Sequence, residues 1–338
     1  MTDILFLCHT ETGGALPRAA LEAFTAAKEA AAGGELTVAV LGEKAADAAR
    51  AFGGASARLL AADGPDLAVS RYATDAAACA ALVKAAGAQV VVAPHTARLA
   101  RVLPGVAARL GGKVDTHVTA LKGGDALAAT RWFYRQRIEG TLKRKERPWI
   151  LLVGPGSAPA FEATPGGPAV EAVSVEVSDA LRRTRVEGVR APTSGESTIK
   201  PDAKLLFVAG AGWTKKQATG KPEPEKAEQL ILGFLGAAGA SLGTSKSLTD
   251  QAGEGAKVFA FMSHMNQVGQ TGSTPRHPKG LATCCHGEEP HVVGWRFIRE
   301  RRAVNLDSGC GWARGKADVL YVADAFEVME RLNALLGK

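Results

Sequence analysis

Aromatic residues are scarce: Phe, Trp and Tyr make up 6% of 338 residues, so a core has to be assembled mainly from Ala, Val and Leu. Long hydrophobic runs are missing too. No apolar stretch is long enough to cross a bilayer, and the opening MTDILFLCH has no basic segment ahead of an extended apolar one. No membrane association is expected, and a cytoplasmic location is. Cysteine is sparse and odd in number, with Cys8, Cys79, Cys284, Cys285 and Cys310 mostly inside apolar runs. That usage suits a reducing compartment rather than a disulfide framework. No C-x-x-C pair is present, and adjacent Cys284 and Cys285 on a strand would face opposite ways. The cluster of Cys284, Cys285, His286, His291 and Cys310 is therefore not expected to bind a metal. There is no G-x-S-x-G elbow to start Ser-His-Asp catalysis, which leaves His117 as a structural histidine. Charge is only mildly one-sided, with 41 Lys and Arg against 34 Asp and Glu. No zinc-finger, helix-turn-helix or RRM pattern accompanies the net +7, so nucleic acid is not an expected partner.

What remains is a globular composition, 46% hydrophobic and 22% charged, at a length that favours two domains. Short apolar runs alternate with helical patterns. ILFLCH (4–9), LTVAVLG (36–42), AQVVVAP (88–94), WILLVGPGS (149–157) and AVEAVSVEVS (169–178) read as strands. LPRAALEAFTAAKEAAA (16–32), DAAACAALVKAAG (75–87) and TARLARVLPGVAARLG (96–111) read as helices. Continuous apolar strands separated by amphipathic helices predict a parallel sheet covered on both faces. A charged, turn-rich segment at 182–201 reads as a linker. A second series follows, with strands at KLLFVAGAG (204–212), VFAFM (258–262), GLATCC (280–285), RAVNL (302–306) and DVLYVAD (318–324). Helices are predicted at EKAEQLILGFLGAAG (225–239) and AFEVMERLNALLG (325–337). The predicted fold is α/β, two doubly wound domains over 1–190 and 204–338, each a mainly parallel sheet flanked by helices.

Four loops of the second half follow such runs: AGAGWTKK (209–216), GTSKSLTD (243–250), NQVGQTGST (266–274) and CCHGEEPH (284–291). Glycine lets backbone N–H groups approach a ligand, and successive N–H groups make anion cradles. In order and spacing these loops resemble the electron-transfer flavoprotein alpha subunit family, as a divergent member. That family carries Gly-Gly-Arg-Gly, Gly-Ala-Ser-Arg and Gln-Val-Gly-Gln-Thr-Gly in turn, and later Ala-Ile-Asn and an Ala-Asp before the last helix. The third element is intact here as QVGQTG (267–272), and GTSK (243–246), AVN (303–305) and AD (317–318) match others. ILFLCHTETGGALPRAALEAFTAA, VVVAPHTARLARVLPGVAARLG and DTHVTAL extend the likeness through the first half.

The resemblance implies FAD held mainly by residues 204–338. Thr271 would offer its hydroxyl to flavin N5, with Gln267, Val268 and Gln270 beside it and Gly269 and Gly272 letting the backbone come near. Ser245 and Lys246 would lie by the flavin and phosphates, the cation favouring negative charge on the reduced ring. His291 would face flavin O2, Gly287 and Glu288 would form the second phosphate loop, and Asn305 and Asp318 would contact the adenosine. Two departures stand out. The family's pyrophosphate arginine corresponds to Gly212, and Gly287 with Glu288 and Glu289 replaces its serine loop, leaving Arg276 or Lys279 to compensate.

The implied partners are a beta subunit carrying AMP, a flavin-dependent dehydrogenase as donor, and a quinone oxidoreductase or similar acceptor. The implied role is electron carriage rather than substrate conversion, with no catalytic acid or base. Segments 182–201 and 212–224 are candidate hinges for it. The alternative is a nucleotide-binding scaffold subunit that lost or altered FAD binding.

Overall fold

A computed structural model describes residues 3–123, 127–134, 138–164, 166–188, 199–200, 203–251, 259–269, 272–283, 295, 298–309 and 317–337. The chain divides into two compact units, Met1–Gly188 and Val189–Lys338, and each holds its own sheet and core.

In the first unit the elements run β1 (Ile4–His9), α1 (Arg18–Ala31), β2 (Leu36–Gly42), α2 (Ala45–Ala49), β3 (Arg58–Asp63), α3 (Tyr72–Ala86) and β4 (Val90–Pro94). They continue with α4 (Ala97–Arg109), β5 (Lys113–Lys122), β6 (Ala128–Phe133), β7 (Ile138–Leu142), β8 (Trp149–Val153) and β9 (Val170–Ala172). The sheet order is β7-β6-β5-β8-β4-β1-β2-β3-β9, parallel except where β6 and β7 double back. Every residue of β1, β4 and β8 is buried, as the continuous apolar runs predict. Alternation divides β1 between two cores: Ile4, Phe6 and Cys8 enter one, Leu5 and Leu7 the other. Of these two cores only the first holds aromatic rings, and there the Phe24 ring lies 5.2 Å from Phe6 and 4.6 Å from Phe161. Fully burying such a ring contributes about 1.5–3 kcal/mol. The strand expected at 169–178 pairs with the sheet only over β9, at the free side of β3. β3 and the β5–β7 ribbon escaped the apolar-run signal; β5–β7 are half exposed and carry no continuous apolar stretch.

The second unit holds β10 (Leu205–Ala209), α5 (Pro224–Ala238), β11 (Ser241–Thr244), α6 (Lys246–Asp250), β12 (Lys279–Thr283), β13 (Glu300–Asn305), β14 (Val319–Val322) and α7 (Ala325–Leu336). Its sheet, β11-β10-β12-β13-β14, is parallel throughout. Both sheets are doubly wound, each with helices on its faces. One expected strand is absent. Val258 lies outside the described residues, and Phe259–Met262 form a turn, not a strand. Phe259 and Met262 are nonetheless buried against α5 and α7 residues. Three residues apart, they reach the core from a turn without a ladder. Among the described residues, no helix is long and apolar enough to cross a membrane.

Candidate functional site

In the second unit the chain steps from β10 outward to β11, then crosses back to β12 on the other side of β10. Open parallel sheets take ligands at such a reversal, outside the carboxyl ends of the strands. Here that crevice is bridged by protein. After β10 the chain makes a 3-10 turn, Ala211–Thr214, whose Trp213 is fully buried with its ring 4.6 Å from Phe326. The indole N–H donates to Thr283 Oγ1 at the end of β12, 2.8 Å away, and Gly210 N–H donates to the Thr283 carbonyl. Gly212, where the family likeness calls for arginine, is buried, and its carbonyl accepts from Lys215 N–H and Gln217 Nε2.

At the end of β11 three consecutive residues differ in what they offer. Thr244 is fully buried and its Oγ1 has no hydrogen-bond partner. Such an orphan costs about 1–3 kcal/mol. Ser245 is spoken for: its N–H donates to Ala209 O and its Oγ caps α6 by accepting from Leu248 N–H at 3.1 Å. Lys246 Nζ lies 3.3 Å from Asp250 Oδ2, and Asp250 Oδ1 lies 2.9 Å from His264 Nε2. His264 and then Lys246 hold the Asp250 carboxyl below its ordinary range. α6 and the segment entering QVGQTG are thus tied through one carboxylate.

That segment docks backbone to backbone on β11. Asn266 Nδ2 donates to Leu242 O, Val268 N–H donates to Thr244 O at 3.0 Å, and Gln267 bridges to Thr244 as a strand would. The loop then closes on itself, with Gly269 N–H to Ser273 O, Gly272 N–H to Gly269 O and Ser273 N–H to Gln267 O, all within 2.8 Å. Gly269 has φ +79°, a conformation open to glycine. A Cβ on Gly272 would collide with the Gln267 carbonyl oxygen and stand 2.8 Å from its carbon. On Gly243 a Cβ would stand 2.8 Å from Val268 Cγ2, so this glycine is what lets the loop lie on β11. Two of the loop's glycines therefore serve its own closure. Gln267 and Val268 are buried, Gln267 with Nε2 directed to Gly269 O.

Asn305 ends β13 on this same side of the sheet, where its Oδ1 accepts from Asp307 N–H. Asp318 does not join it. It precedes β14 at the amino end of the sheet, where Arg301 donates to it from backbone and guanidinium, each at 2.6 Å. The acid at the carboxyl end of β14 is Asp324, whose Oδ1 caps α7 by accepting from Phe326 and Glu327 N–H. Sequence reading passed over it although Ala323-Asp324 is the Ala-Asp pair standing directly before the last helix. Lys279 likewise opens β12 at the amino end, 3.9 Å from Glu300, and Arg276 is exposed three residues earlier. Gln270, Thr271, Gly287, Glu288, Glu289 and His291 lie outside the described residues, as do Cys284, Cys285, His286 and Cys310. Among the described residues no group of three His, Cys, Asp or Glu could hold a metal.

The first unit reverses between β1 and β4, and this crevice too is bridged: His9 Nε2 lies 2.9 Å from Thr96 Oγ1. Behind it the Arg98 guanidinium and the Asp75 carboxylate, both buried, form a two-point pair with the shorter contact at 2.6 Å. Burial holds His9 below its usual range.

A comparison with curated proteins yields no match. The model of the electron transfer flavoprotein domain matches residues 4–180, which is the first unit; the loops of the second unit lie outside the match. That span is more than half of the chain, and the protein belongs to the electron transfer flavoprotein family.

Proposed function

We propose that the chain is the alpha subunit of a heterodimeric electron-transfer flavoprotein that holds FAD at the carboxyl edge of its second sheet. It would take electrons from a flavin-dependent dehydrogenase and pass them to an acceptor such as a quinone oxidoreductase, with AMP in the beta subunit. The observation that carries this reading is the seating of Gln267 and Val268 on β11, which brings Gln267–Gly269 and Gly272 to the strand end that also carries Thr244, Ser245 and Lys246. The residues present fit a flavin nucleotide: an orphaned buried hydroxyl on Thr244, the cation of Lys246 and the amide of Asn305 share that edge.

FAD supplies the redox chemistry when bound; the chain supplies position and charge. Lys246 would place a cation toward the ring or phosphates, with Asp250 fixing its direction. Thr271 and Gln270 would contribute the polar contacts that the family resemblance assigns to them, on a loop whose base is anchored by Gln267 and Val268. Asp324, rather than Asp318, would be the acid available to the adenosine.

The test is co-expression with a beta-like subunit followed by an absorption spectrum. Flavin bands that bleach with dithionite or with a partner dehydrogenase, and FAD released on denaturation, support the proposal; a colourless heterodimer refutes it. A second reading keeps the fold as a nucleotide-binding scaffold without FAD. It is favoured by Gly212, which brings no cation to a crevice already bridged by Trp213 and Thr283. The same spectrum separates the two.

A further inference from the structure

β9 is the last strand of the first sheet and, among the described residues, pairs with β3 alone. The pair is parallel, with Leu59 opposite Val170, Leu60 opposite Glu171 and Ala61 opposite Ala172. Partners across a ladder point to one face, and neighbours along a strand to opposite faces. Ala61, Val170 and Ala172 therefore share a face. Val173 N–H still donates to Ala61 O at 2.8 Å, which carries the alignment past the end of β9 and brings Ser174 level with Asp63. α2 lies over this face, where Ala45, Ala48 and Ala49 enter the first core beside Ala61. Alanine on the helix and alanine on both strands leave the space between them unfilled. A cavity of about 300 Å³ remains, with Ala46, Ala61, Asp63, Val170, Ala172 and Ser174 in its lining. Ala61 is buried and Ala46 and Val170 are half-buried, which makes an apolar floor; Asp63, Ala172 and Ser174 are exposed at the mouth.

The charge at this mouth is unmatched. Carboxylates on the neighbouring segments are engaged within the chain. Glu43 accepts from Gly13 N–H at 2.9 Å, Asp47 pairs with Arg50 at 3.0 Å, Asp66 with Arg182 at 2.9 Å, and Glu171 with Arg58 at 2.7 Å. Those pairs occupy Arg50, Arg58 and Arg182. Asp63 differs: among the described residues its carboxylate makes no ion pair and no hydrogen bond.

We propose that this cavity binds an alkylammonium group, a primary amine on a short apolar chain, with Asp63 as its counter-ion. An ammonium has three donors and no acceptor, and an ionised carboxylate only accepts, so the two are complementary. Ser174 Oγ offers a further acceptor at the same mouth, and the alanine and valine side chains enclose the carbon chain. Ligand pockets begin at about 300 Å³, so the fit is to a chain of a few carbons. An anion would meet the Asp63 charge and is excluded. The site lies in the first unit and does not rest on the flavin proposal.

The full chain labelled with 13C-methyl alanine tests this by NMR, because Ala46, Ala61 and Ala172 report from the cavity itself. The probes are butylamine, the lysine side chain in N-acetyl-lysine amide, butanol and butyrate. Either amine is expected to shift those methyl resonances saturably, with a midpoint of about 10 mM or lower for the stronger. The stronger of the two tells a free amine from a lysine side chain. Added salt should weaken binding, since Asp63 is exposed. No saturable shift with either amine overturns the proposal, as does an equal response to butanol or butyrate. Asp63→Asn keeps the shape and removes no internal contact, so its melting temperature should match the parent's while amine binding weakens about fivefold or more. Ala172→Leu fills the cavity from an exposed position and should abolish the Ala46 and Ala61 shifts while leaving the other methyl resonances in place. Either variant binding amine as the parent does would also overturn it.

Discussion

Gly272→Ala probes the closure of the QVGQTG loop. The added Cβ would collide with the Gln267 carbonyl oxygen and stand 2.8 and 2.9 Å from that residue's carbonyl carbon and Cβ. Backbone is the obstacle, so rotamer changes give no relief and the turn must open. Opening it lengthens two bonds, Gly272 N–H to Gly269 O at 2.7 Å and Ser273 N–H to Gln267 O at 2.8 Å. Each is worth about 0.5–1.5 kcal/mol net, and overpacking of this kind adds about 1–3 kcal/mol where nothing yields. With partial relaxation the sum is about 2–4 kcal/mol, carried by the second unit alone. Urea unfolding followed by tryptophan fluorescence, to which buried Trp213 contributes, would show the midpoint falling by about 1–2 M at an ordinary urea slope. Gly269→Ala is the control, since at φ +79° it meets backbone strain and should cost nearer about 1 kcal/mol. In the flavin-loaded heterodimer, Gly272→Ala should also weaken FAD retention at least tenfold. An alanine variant with an unshifted midpoint and full flavin content would refute the steric account and the role given to the loop together.

Thr244→Val replaces an unpartnered buried hydroxyl by a methyl of the same shape, so the free subunit should gain about 1 kcal/mol in urea unfolding while FAD content falls. Asp318→Asn should cost under about 1 kcal/mol and leave flavin untouched, since Asp318 is a half-exposed partner of Arg301 at the amino end. Asp324→Ala removes the α7 cap, costing about 0.5–2 kcal/mol, and should lower flavin content, as spectra of the purified heterodimers would show. The first unit should lose stability as the pH falls from 6.5 to about 4. The unfolded chain protonates His95 near 6.5 and the folded one does so only at about 4, so unfolding takes up a proton in that window. Urea midpoints across the window should flatten in His95→Gln.

Legibility followed burial. β1, β2, β4 and β10 were readable because strands buried on both faces leave uninterrupted apolar runs. β5–β7 were not, since one face meets water and bulges break the alternation. VFAFM misled for the opposite reason: a turn can bury Phe259 and Met262 as deeply as a strand, and composition alone does not record the ladder. β11 is four residues long and partly glycine, too short to leave a run, yet it is the strand on which the loop is built. The glycines stand out in the sequence, but what they accommodate in the described contacts is neighbouring protein, Gln267 beside Gly272 and Val268 beside Gly243.

By itself the sequence determined the α/β pattern, its division into two series of strands and helices, and the family, because periodic burial and motif order are properties of the linear chain. Tertiary structure alone decided which end of a strand each residue occupies. Two Ala-Asp pairs six residues apart differ little as text, but β14 lies between them and carries Asp318 to Arg301 at one end and Asp324 to the helix cap at the other. It alone also set His95 against His117, more than twenty residues away along the chain, through a bulge that only the pairing of β5 with β8 creates.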